Sequence, residues 1–547
     1  MNAVKRAVIK AGELTGIKKI LYLTLSALVF ALPFMTKSLS SNLAIGSFTA
    51  VFGWCGLSAL FITVFDFRKT LKRVLCSLFC FFFAFYFFVY SWFVNLYPMD
   101  FAGFDEIESV FVIAAAVILI PLVHSIIMTC FVFVAYIASR QVKNSIFRAV
   151  TVSCGYVIGE YAQSLGTFAF PWARLFVGQT AFPELLQSAS LFGSYFVTFV
   201  IVLVNALLAF WLINSGKGKK KSALCLIVAL SVFAFNLGFG IVRVHVTDFS
   251  DCRRISALVL QGNIPSGEKW SGEVDEKEVY LDLANWAKDV KMSDEKDVDI
   301  AVMPETAFPV TLYPDDGYLT RYEETLIDIS SVLDTELFAG AFSENEGKSF
   351  NSIFAISPDG SFTQPYNKYN IVPFGEFVPY RSFLERTFPV FSEMNMFSSD
   401  ISRGESFEPI NTGAGRAACL VCFDSIFPKT ARLQIKNGGQ FIVIATNDSW
   451  YKTSAAIYQH ADHAIMRAIE NNVPVIRSAN TGISRIIDCR GRVVEQTLVN
   501  EETAIIGEVY LPERMTLYTC IGDVFIFVSA VMIMLAFALG KTKKPRA

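Results

Sequence analysis

Residues 417–424 read Ala-Ala-Cys-Leu-Val-Cys-Phe-Asp, an apolar run that ends at a second cysteine, Cys422. Such a short run predicts a buried strand, and the residues after it predict a turn followed by a helix. A cysteine at that point projects from a sharp strand-to-helix turn, where a helix N-terminus would favour its thiolate. Cys422 is therefore a candidate nucleophile.

Two other predicted strands end beside residues that can take part in acid–base chemistry. One is Ile300-Ala-Val-Met-Pro-Glu305, and the other is Tyr366-Asn-Lys368, followed by Val372-Pro-Phe-Gly-Glu376. Taken singly, such a glutamate or lysine is more often a solvated loop charge, and such a cysteine is more often buried and inert. Together they supply a base, a cation and a nucleophile, a set that can run acyl transfer through a thioester.

The region 251–514 alternates short β-branched runs with helical patterns, which predicts an α/β domain with parallel strands buried on both faces. Active sites of such domains lie at the carboxyl ends of the strands. The predicted strands are 256–260, 299–303, 417–421, 441–445 and 473–477. The predicted helices are 274–290, 430–436 and 458–471.

The rest of the chain has a different composition. Of the 547 residues, 53% are hydrophobic and only 18% are charged, whereas a soluble domain usually carries ~25% charge. The net charge of −2 gives no basic footprint for nucleic acid. Stretches near the ~20 residues that a membrane span needs are 20–36, 42–65, 74–98, 109–139, 149–169, 186–213, 222–242 and 518–540.

The predicted fold class is a multi-pass α-helical membrane protein of eight spans with one α/β domain outside the membrane. Its parts are a seven-helix domain at 1–243, the α/β domain at 251–514 and a last helix at 518–540. Basic residues cluster in every second connection, which places both termini in the cytoplasm and the α/β domain outside. The clusters comprise Lys5, Arg6, Lys10, Lys18 and Lys19; Arg68, Lys69, Lys72 and Arg73; Arg140, Lys143 and Arg148; Lys217 and 219–221; and Lys541, Lys543, Lys544 and Arg546.

Two features of the apolar region leave alternatives open. The stretch 109–139 contains Pro121 and could be two spans, but this would put the basic clusters of the two halves on opposite sides of the membrane. The connection 99–108 fits the single span, because it is acidic, with Asp100 among its residues. Glu160 lies in the fifth span, where an ionisable group is a functional candidate by default; a carboxylate paired within the helices is an equally good interpretation.

Other chemistries fit the sequence less well. Cys419 and Cys422 form a C-x-x-C pair, but residues three apart on a strand face opposite sides, so a disulfide between them would be strained. His460 and His463 do not have the spacing of an H-E-x-x-H zinc site. The sequence has no glycine loop typical of nucleotide binding and no G-x-S-x-G elbow. It therefore predicts neither a metal nor an organic cofactor.

Several motifs between residues 160 and 510 are specific as a set. They are Phe170-Pro-Trp172, Leu260-Gln-Gly-Asn-Ile-Pro, Lys269-Trp270, Met303-Pro-Glu-Thr, Tyr366-Asn-Lys, Val372-Pro-Phe-Gly-Glu-Phe-Val-Pro379, Asn447-Asp-Ser-Trp450 and Arg477-Ser-Ala-Asn-Thr-Gly482. This set resembles the nitrilase, or carbon–nitrogen hydrolase, superfamily and, within it, the apolipoprotein N-acyltransferase family. The first four spans match that family only in architecture.

The resemblance implies an αββα sandwich and a role for each of four residues. Cys422 is the nucleophile, Glu305 is the general base, and Lys368 is the cation beside the oxyanion. Glu376 matches a second carboxylate that supports Lys368. The residues expected to bind substrate, as walls of the site or of the opening that admits lipid, are aromatic: Trp270, Trp450, Phe374 and Phe423. Three positions depart from the family pattern, because Phe423, Asp424 and Asn370 stand where Tyr, Glu and His are usual.

The implied activity is N-acylation of the S-diacylglyceryl cysteine at the N-terminus of bacterial lipoproteins. A membrane phospholipid would donate the acyl chain through a Cys422 thioester, in a ping-pong reaction in the inner membrane with a periplasmic catalytic domain. Aromatic segments suited to the bilayer surface are 374–380, 388–397 and 450–451. A membrane-anchored nitrilase-like amidase is the alternative enzyme, and a transporter with a binding domain is the non-enzymatic alternative.

Overall fold

The computed structural model describes residues 11, 13–39, 43–65, 70–99, 104–215, 219–246, 249, 251–293, 297–314, 318–387 and 400–541. The chain divides into two compact units. One comprises Met1–Val94, Val112–Val246 and Ile521–Ala547, and the other comprises Asn95–Phe111 and Thr247–Cys520. Some predicted features lie outside the described residues: Lys5, Arg6, Lys10, Arg68, Lys69, Asp100, Lys217, Lys543, Lys544, Arg546 and the aromatic segment 388–397.

The first half of the chain is helical. Its helices are α1 Gly16–Met35, α2 Leu43–Cys55, α3 Ser58–Val64, α4 Leu71–Val89, α5 Glu106–Arg140, α6 Ser145–Ala162, α7 Pro183–Leu186, α8 Ala189–Phe192, α9 Ser194–Asn214 and α10 Lys219–His245. Among the described residues, five helical segments are long and apolar enough to cross a membrane: Gly16–Ser38, Leu71–Leu96, Glu106–Arg140, Ser194–Asn214 and Ser222–His245. Shorter apolar helices lie at Phe48–Val64 and Val524–Gly540.

The stretch 109–139 forms one continuous helix, α5, with Pro121 inside it, as the single-span interpretation predicts. Three other predicted spans contain a break between two helices, and a fourth, 149–169, is helical only as far as Ala162. The stretch 42–65 is split between α2 and α3. The stretch 186–213 enters α9 only after Gly193, and the last span breaks at Gly522. Both glycines have positive φ, +77° and +66°, which a residue with a Cβ adopts only with strain.

Glu160 is paired within the helical unit, which is the second of the two interpretations above. It is 1% exposed, and its Oε2 lies 3.0 Å from Arg174 Nε. Thr198 donates to the same oxygen at 2.6 Å, and the guanidinium of Arg174 lies 3.9 Å from the ring centroid of Tyr195. Removing one partner of such a pair leaves an uncompensated buried charge, at a typical cost of about 3–5 kcal/mol.

The second unit contains two six-stranded sheets. Their strands are β1 Arg253–Gln261, β2 Ile300–Val302, β3 Glu336–Asn345, β4 Lys348–Ile356, β5 Tyr366–Asn367, β6 Ile410–Thr412, β7 Gly415–Val421, β8 Phe441–Thr446, β9 Val475–Ala479, β10 Arg485–Ile487, β11 Val493–Gln496 and β12 Thr503–Leu511. The helices after the first strand are α11 Ser266–Ser271, α12 Glu276–Ser293, α13 Arg321–Leu333, α14 Arg381–Thr387, α15 Pro428–Lys436, α16 Ala455–Asn471 and α17 Leu517–Ile521. The last helix, α18 Val524–Lys541, belongs to the first unit.

Each sheet is parallel only at its centre. The orders are β12-β1-β2-β3-β4-β5 and β11-β10-β9-β8-β7-β6, and the parallel strands are β1–β3 and β7–β9. The prediction of parallel strands is therefore confirmed for the five predicted strands and wrong for the flanking ones. A short turn can only reverse a strand, and Glu346-Gly347, both with positive φ, makes such a turn between β3 and β4.

The two sheets pack face to face between layers of helices. Alternate residues of β1 point to opposite sides, as the strand period requires. Ala257 and Val259 lie in the core between the sheets, whereas Leu258 and Leu260 pack with residues of α12 and α13. Helices α15 and α16 contact the second sheet. The result is an αββα sandwich. Two of the residues predicted for the site lie just after the carboxyl ends of central strands, Glu305 after β2 in the first sheet and Cys422 after β7 in the second.

Candidate active site

Cys422 occupies the turn between β7 and a 3₁₀ helix, Cys422–Ile426. Its φ is +47°, a left-handed conformation that costs a residue other than glycine on the order of 1–3 kcal/mol. Ser425 Oγ donates to the carbonyl oxygen of Cys422 at 2.7 Å, which helps to hold the turn. The strand-to-helix elbow predicted from the sequence is therefore present, and Cys422 is 8% exposed on it.

Behind the elbow lies a buried network whose role sequence reasoning missed. His460 Nδ1 is 2.8 Å from Asp448 Oδ1, and Arg477 Nη2 donates to Asp448 Oδ2 at 2.7 Å. His460 Nε2 lies 3.2 Å from the carbonyl oxygen of Cys422. Burial opposes charge on Asp448, but Arg477 and His460 outweigh it and lower the pKa of this carboxyl. Asp448 and Arg477 belong to two of the family-like motifs, yet no spacing rule connects them to His460.

A buried lysine joins two carboxylates beside the elbow. Lys368 Nζ donates to Glu376 Oε1 at 2.8 Å and to Glu305 Oε1 at 3.2 Å. Asn351 Nδ2, a group that no sequence pattern selects, donates to the same two oxygens at 2.7 Å for Glu305 and 2.9 Å for Glu376. The backbone N–H of Asn447 donates to Glu305 Oε2 at 2.8 Å, which links this carboxylate to the loop after β8 in the other sheet.

The charges of the site determine which group carries a proton. Burial opposes the charged form of Lys368, but Glu305 and Glu376 outweigh it and raise the pKa of this lysine, so it remains an ammonium. Burial, followed by the charge of Glu305, raises the pKa of Cys422 well above its ordinary value, and Lys368 offsets this only in part. The expectation of a thiolate favoured by a helix N-terminus is therefore wrong for the resting site. Cys422 is a neutral thiol that needs a base.

Asp424 and Asn370, two of the departures from the family pattern, contact each other. The backbone N–H and Nδ2 of Asn370 donate to Asp424 Oδ1 at 2.7 and 2.8 Å, and Tyr366 Oη donates to Asp424 Oδ2 at 2.9 Å. Burial raises the pKa of Asp424, while Lys368 and these donors oppose the rise. The pair ties the turn that carries Cys422 to the chain that carries Lys368.

The four predicted aromatic residues differ in exposure. Trp270 is 43% exposed and Phe374 is 38% exposed, while Trp450 is half-buried in a 3₁₀ helix. Phe423 is 4% exposed and packs edge-on against Phe427, with ring centroids 5.3 Å apart. Binding of lipid by these four side chains stays a prediction, and Phe423 lies deepest among them.

The turn that carries Glu305 depends on a glycine in the neighbouring strand. A Cβ at Gly340 of β3 would lie 2.5 Å from the carbonyl oxygen of Pro304, 2.7 Å from Glu305 Cα and 2.8 Å from the backbone nitrogen of Thr306. All three are backbone atoms, so no side chain can rotate away from the added carbon. Close packing of β3 on this turn therefore fixes where the carboxylate lies.

Gly340→Ala is expected to displace that turn, at a cost in unfolding free energy of about 1–3 kcal/mol. A displacement of about 1 Å at a reacting group can slow catalysis by ~100-fold, and the turnover rate of the purified variant measures this loss. Gly238→Ala is the matched control, because an added Cβ there meets no atom within 4 Å. Full turnover by Gly340→Ala would contradict the assigned importance of the turn.

Two family models match separate parts of the chain. Residues 263–515 match the model described as carbon–nitrogen hydrolase, and residues 26–207 match that of the apolipoprotein N-acyltransferase N-terminal domain. The first match contains the four ionisable residues described above.

Curated relatives cover most of the chain. An apolipoprotein N-acyltransferase of Geobacter metallireducens is 32% identical over 419 residues, which are 74% of this chain and 77% of that protein. The protein of the same name from Haemophilus influenzae is 29% identical over 401 residues, 72% of this chain and 74% of its own length. Among solved structures, Saccharomyces cerevisiae Nit3 of the nitrilase superfamily is 17% identical over 54% of this chain and 97% of its own, with a TM-score of 0.35.

Proposed function

Because this chain belongs to the apolipoprotein N-acyltransferase family, we propose that Glu305, Lys368 and Cys422 carry out the acyl transfer by which it N-acylates lipoproteins. The enzyme is an acyltransferase whose acyl chain passes through a thioester. The observation that supports this assignment is the buried lysine held by two carboxylates next to a neutral thiol. A neutral thiol requires a base, and Glu305 is the carboxylate that has the longer contact to Lys368 and whose charge raises the pKa of Cys422.

The first half-reaction acylates the enzyme. Glu305 takes the proton of Cys422 Sγ, and the thiolate attacks the ester carbonyl carbon of a membrane phospholipid. Lys368 stabilises the oxyanion, a contribution of about 3–4 kcal/mol for a well-placed donor. The C–O bond then breaks, Glu305 returns its proton to the departing lysophospholipid oxygen, and the acyl chain remains on Cys422 as a thioester.

The second half-reaction transfers the chain. The acceptor is the α-amino group of an S-diacylglyceryl cysteine at the N-terminus of a lipoprotein. Its nitrogen attacks the thioester carbonyl while Glu305 takes a proton from it, and Lys368 again stabilises the oxyanion. The C–S bond breaks, an amide forms, and Glu305 protonates Cys422. One carboxylate, Glu305, therefore takes and returns every proton of the reaction, while Glu376 holds Lys368 throughout.

The membrane part gives the reaction its location. We place 1–243 and 518–540 in the bacterial inner membrane as about eight spans, with both termini cytoplasmic and 251–514 periplasmic. The positive-inside pattern of the connections supports this orientation. Both substrates carry lipid chains, so a catalytic domain beside the bilayer meets them without removing either from it. The exposed rings of Trp270 and Phe374 suit such a position.

The product of the reaction separates this function from the amidase alternative. Purified protein in detergent, given phospholipid and a diacylglyceryl lipopeptide, is expected to yield a lipopeptide heavier by one acyl chain, with an equal amount of lysophospholipid. An N-acetylated lipopeptide is the control: it should gain no acyl chain, because its nitrogen is blocked. Ammonia released from a small amide, without any N-acyl product, would establish the amidase instead.

A further inference from the structure

A second buried lysine lies next to the base and has no part in the reaction above. Lys269, on α11, is 2% exposed. Its Nζ donates to Thr306 Oγ1 at 2.9 Å and to the carbonyl oxygen of Glu305 at 3.4 Å. Among the residues that the structure describes, no carboxylate oxygen lies within 4.0 Å of this ammonium. A fully buried lysine is usually paired with an acid. Lys269 instead bonds to the turn that carries Glu305, and this placement needs an explanation.

The turn that Lys269 holds is strained. Thr306 has φ +44°, a conformation unfavourable for a β-branched residue. The Lys269 ammonium bonds to atoms on both sides of that backbone, the Glu305 carbonyl and the Thr306 hydroxyl, and so holds them at a fixed separation. Lys368 contacts the carboxylate end of Glu305. The base is thus held by one cation at its side chain and by another at its backbone.

The protonation of Lys269 decides how firmly it holds this turn. Burial lowers the pKa of Lys269 to about 8, against the opposing influence of Glu305 and of Glu276 on α12. Below that pH the group is an ammonium, which donates charge-assisted hydrogen bonds to the turn. Above it the group is a neutral amine, which has lost both the charge and one of its N–H donors.

We propose that Lys269 is a positioning residue for Glu305, fixing the 304–306 turn so that the carboxylate can take the Cys422 proton. This inference rests on the proposed function. It assigns a task to the lysine of the Lys269-Trp270 pair, which the reaction itself leaves unused. It also makes the rate of thioester formation depend on the protonation of a group that never touches substrate.

The test measures thioester formation alone. The acceptor amine is left out because it titrates in the same pH range. Enzyme is mixed with phosphatidylglycerol, whose head group does not titrate in this range, in detergent, and the acyl adduct is followed by intact mass spectrometry from pH 6.5 to 9.5. For wild type the rate is expected to fall as pH rises through about 8, since the ammonium is present below its pKa and lost above it. The Cys422 thiol, with its raised pKa, stays neutral over this range.

Lys269→Met is expected to slow adduct formation at pH 7 by about 10- to 100-fold, the range for losing a hydrogen bond to a charged group, and to abolish the fall above pH 8. Lys269→Arg keeps a charge at every pH tested and should move the fall beyond pH 9. Thr306→Val should slow the rate and leave the fall in place. Lys277→Met is the control, because Lys277 pairs with Asp275 and should keep both the rate and the pH profile.

The outcomes separate the two proposals. Wild type that forms no adduct overturns the proposed function and this inference with it. Wild type that forms the adduct, together with a Lys269→Met variant of equal rate and unchanged profile, overturns the inference alone. If Lys269→Met does not fold, Lys269→Arg decides: a fall that stays near pH 8 in that variant overturns the assignment to Lys269.

Discussion

Replacing Cys422 with alanine is expected to abolish thioester formation and N-acylation together, with a loss in turnover of about 10⁵-fold or more, as for other covalent nucleophiles. The reason is chemical, because no other described thiol lies beside the Glu305 and Lys368 charges that shift the pKa of Cys422. Intact mass spectrometry after incubation with phospholipid measures the first loss. The mass of the lipopeptide product measures the second.

Cys419 provides the matched control for this substitution. It lies three residues earlier, on β7, is fully buried, and its backbone N–H and carbonyl bond to the Gln434 side chain. Cys419→Ala should keep the acyl adduct and the turnover rate, at a modest cost in stability. An adduct that persists in Cys422→Ala, or that disappears in Cys419→Ala, would show that the nucleophile has been misassigned.

Two members of the candidate site are accessible from sequence because Glu305 and Cys422 each follow an apolar, buried strand. The pattern predicts that each lies at the carboxyl end of a parallel strand, but these strands, β2 and β7, belong to different sheets, so their meeting depends on how the two sheets pack. What joins them cannot be read in this way. The hydrogen bond from the backbone of Asn447 to Glu305 joins residues that are 142 positions apart in the sequence. Asn351 lies within β4, and only the fold places it between two carboxylates.

The fold shows the same division between local and non-local information. The five predicted strands were found because buried parallel strands are continuously apolar. Among the missed strands, β11 Val493–Gln496 is exposed throughout and has no apolar run. Strand β3 is buried over most of its length but carries Ala339-Gly340-Ala341, residue types that are depleted in strands. In the helical unit, hydropathy located the apolar helices but could not show the breaks at Gly193 and Gly522, because a single glycine hardly changes the average of a long window.

Glu305→Gln and Glu376→Gln form a matched pair, because each replaces one carboxylate that contacts Lys368 Nζ and Asn351 Nδ2. Glu305→Gln is expected to slow thioester formation by about 10³- to 10⁴-fold, since removing a general base typically costs up to 10⁴-fold. Glu376→Gln is expected to slow it by about 10- to 100-fold, the cost of weakening a hydrogen bond to a charged group. Single-turnover acylation by phospholipid measures both rates.

The expected order of the two variants follows from how each carboxylate is held. The second oxygen of each carboxylate accepts a backbone N–H at 2.8 Å, from Val372 for Glu376 and from Asn447 for Glu305, but Glu376 makes the shorter contact to Lys368, 2.8 Å against 3.2 Å for Glu305. That geometry suits an anchor for the lysine. Glu305 instead contributes the larger upward shift of the Cys422 pKa, as expected of a carboxylate close to the thiol. If Glu376→Gln proves the slower variant, Glu376 is the base and Glu305 the anchor.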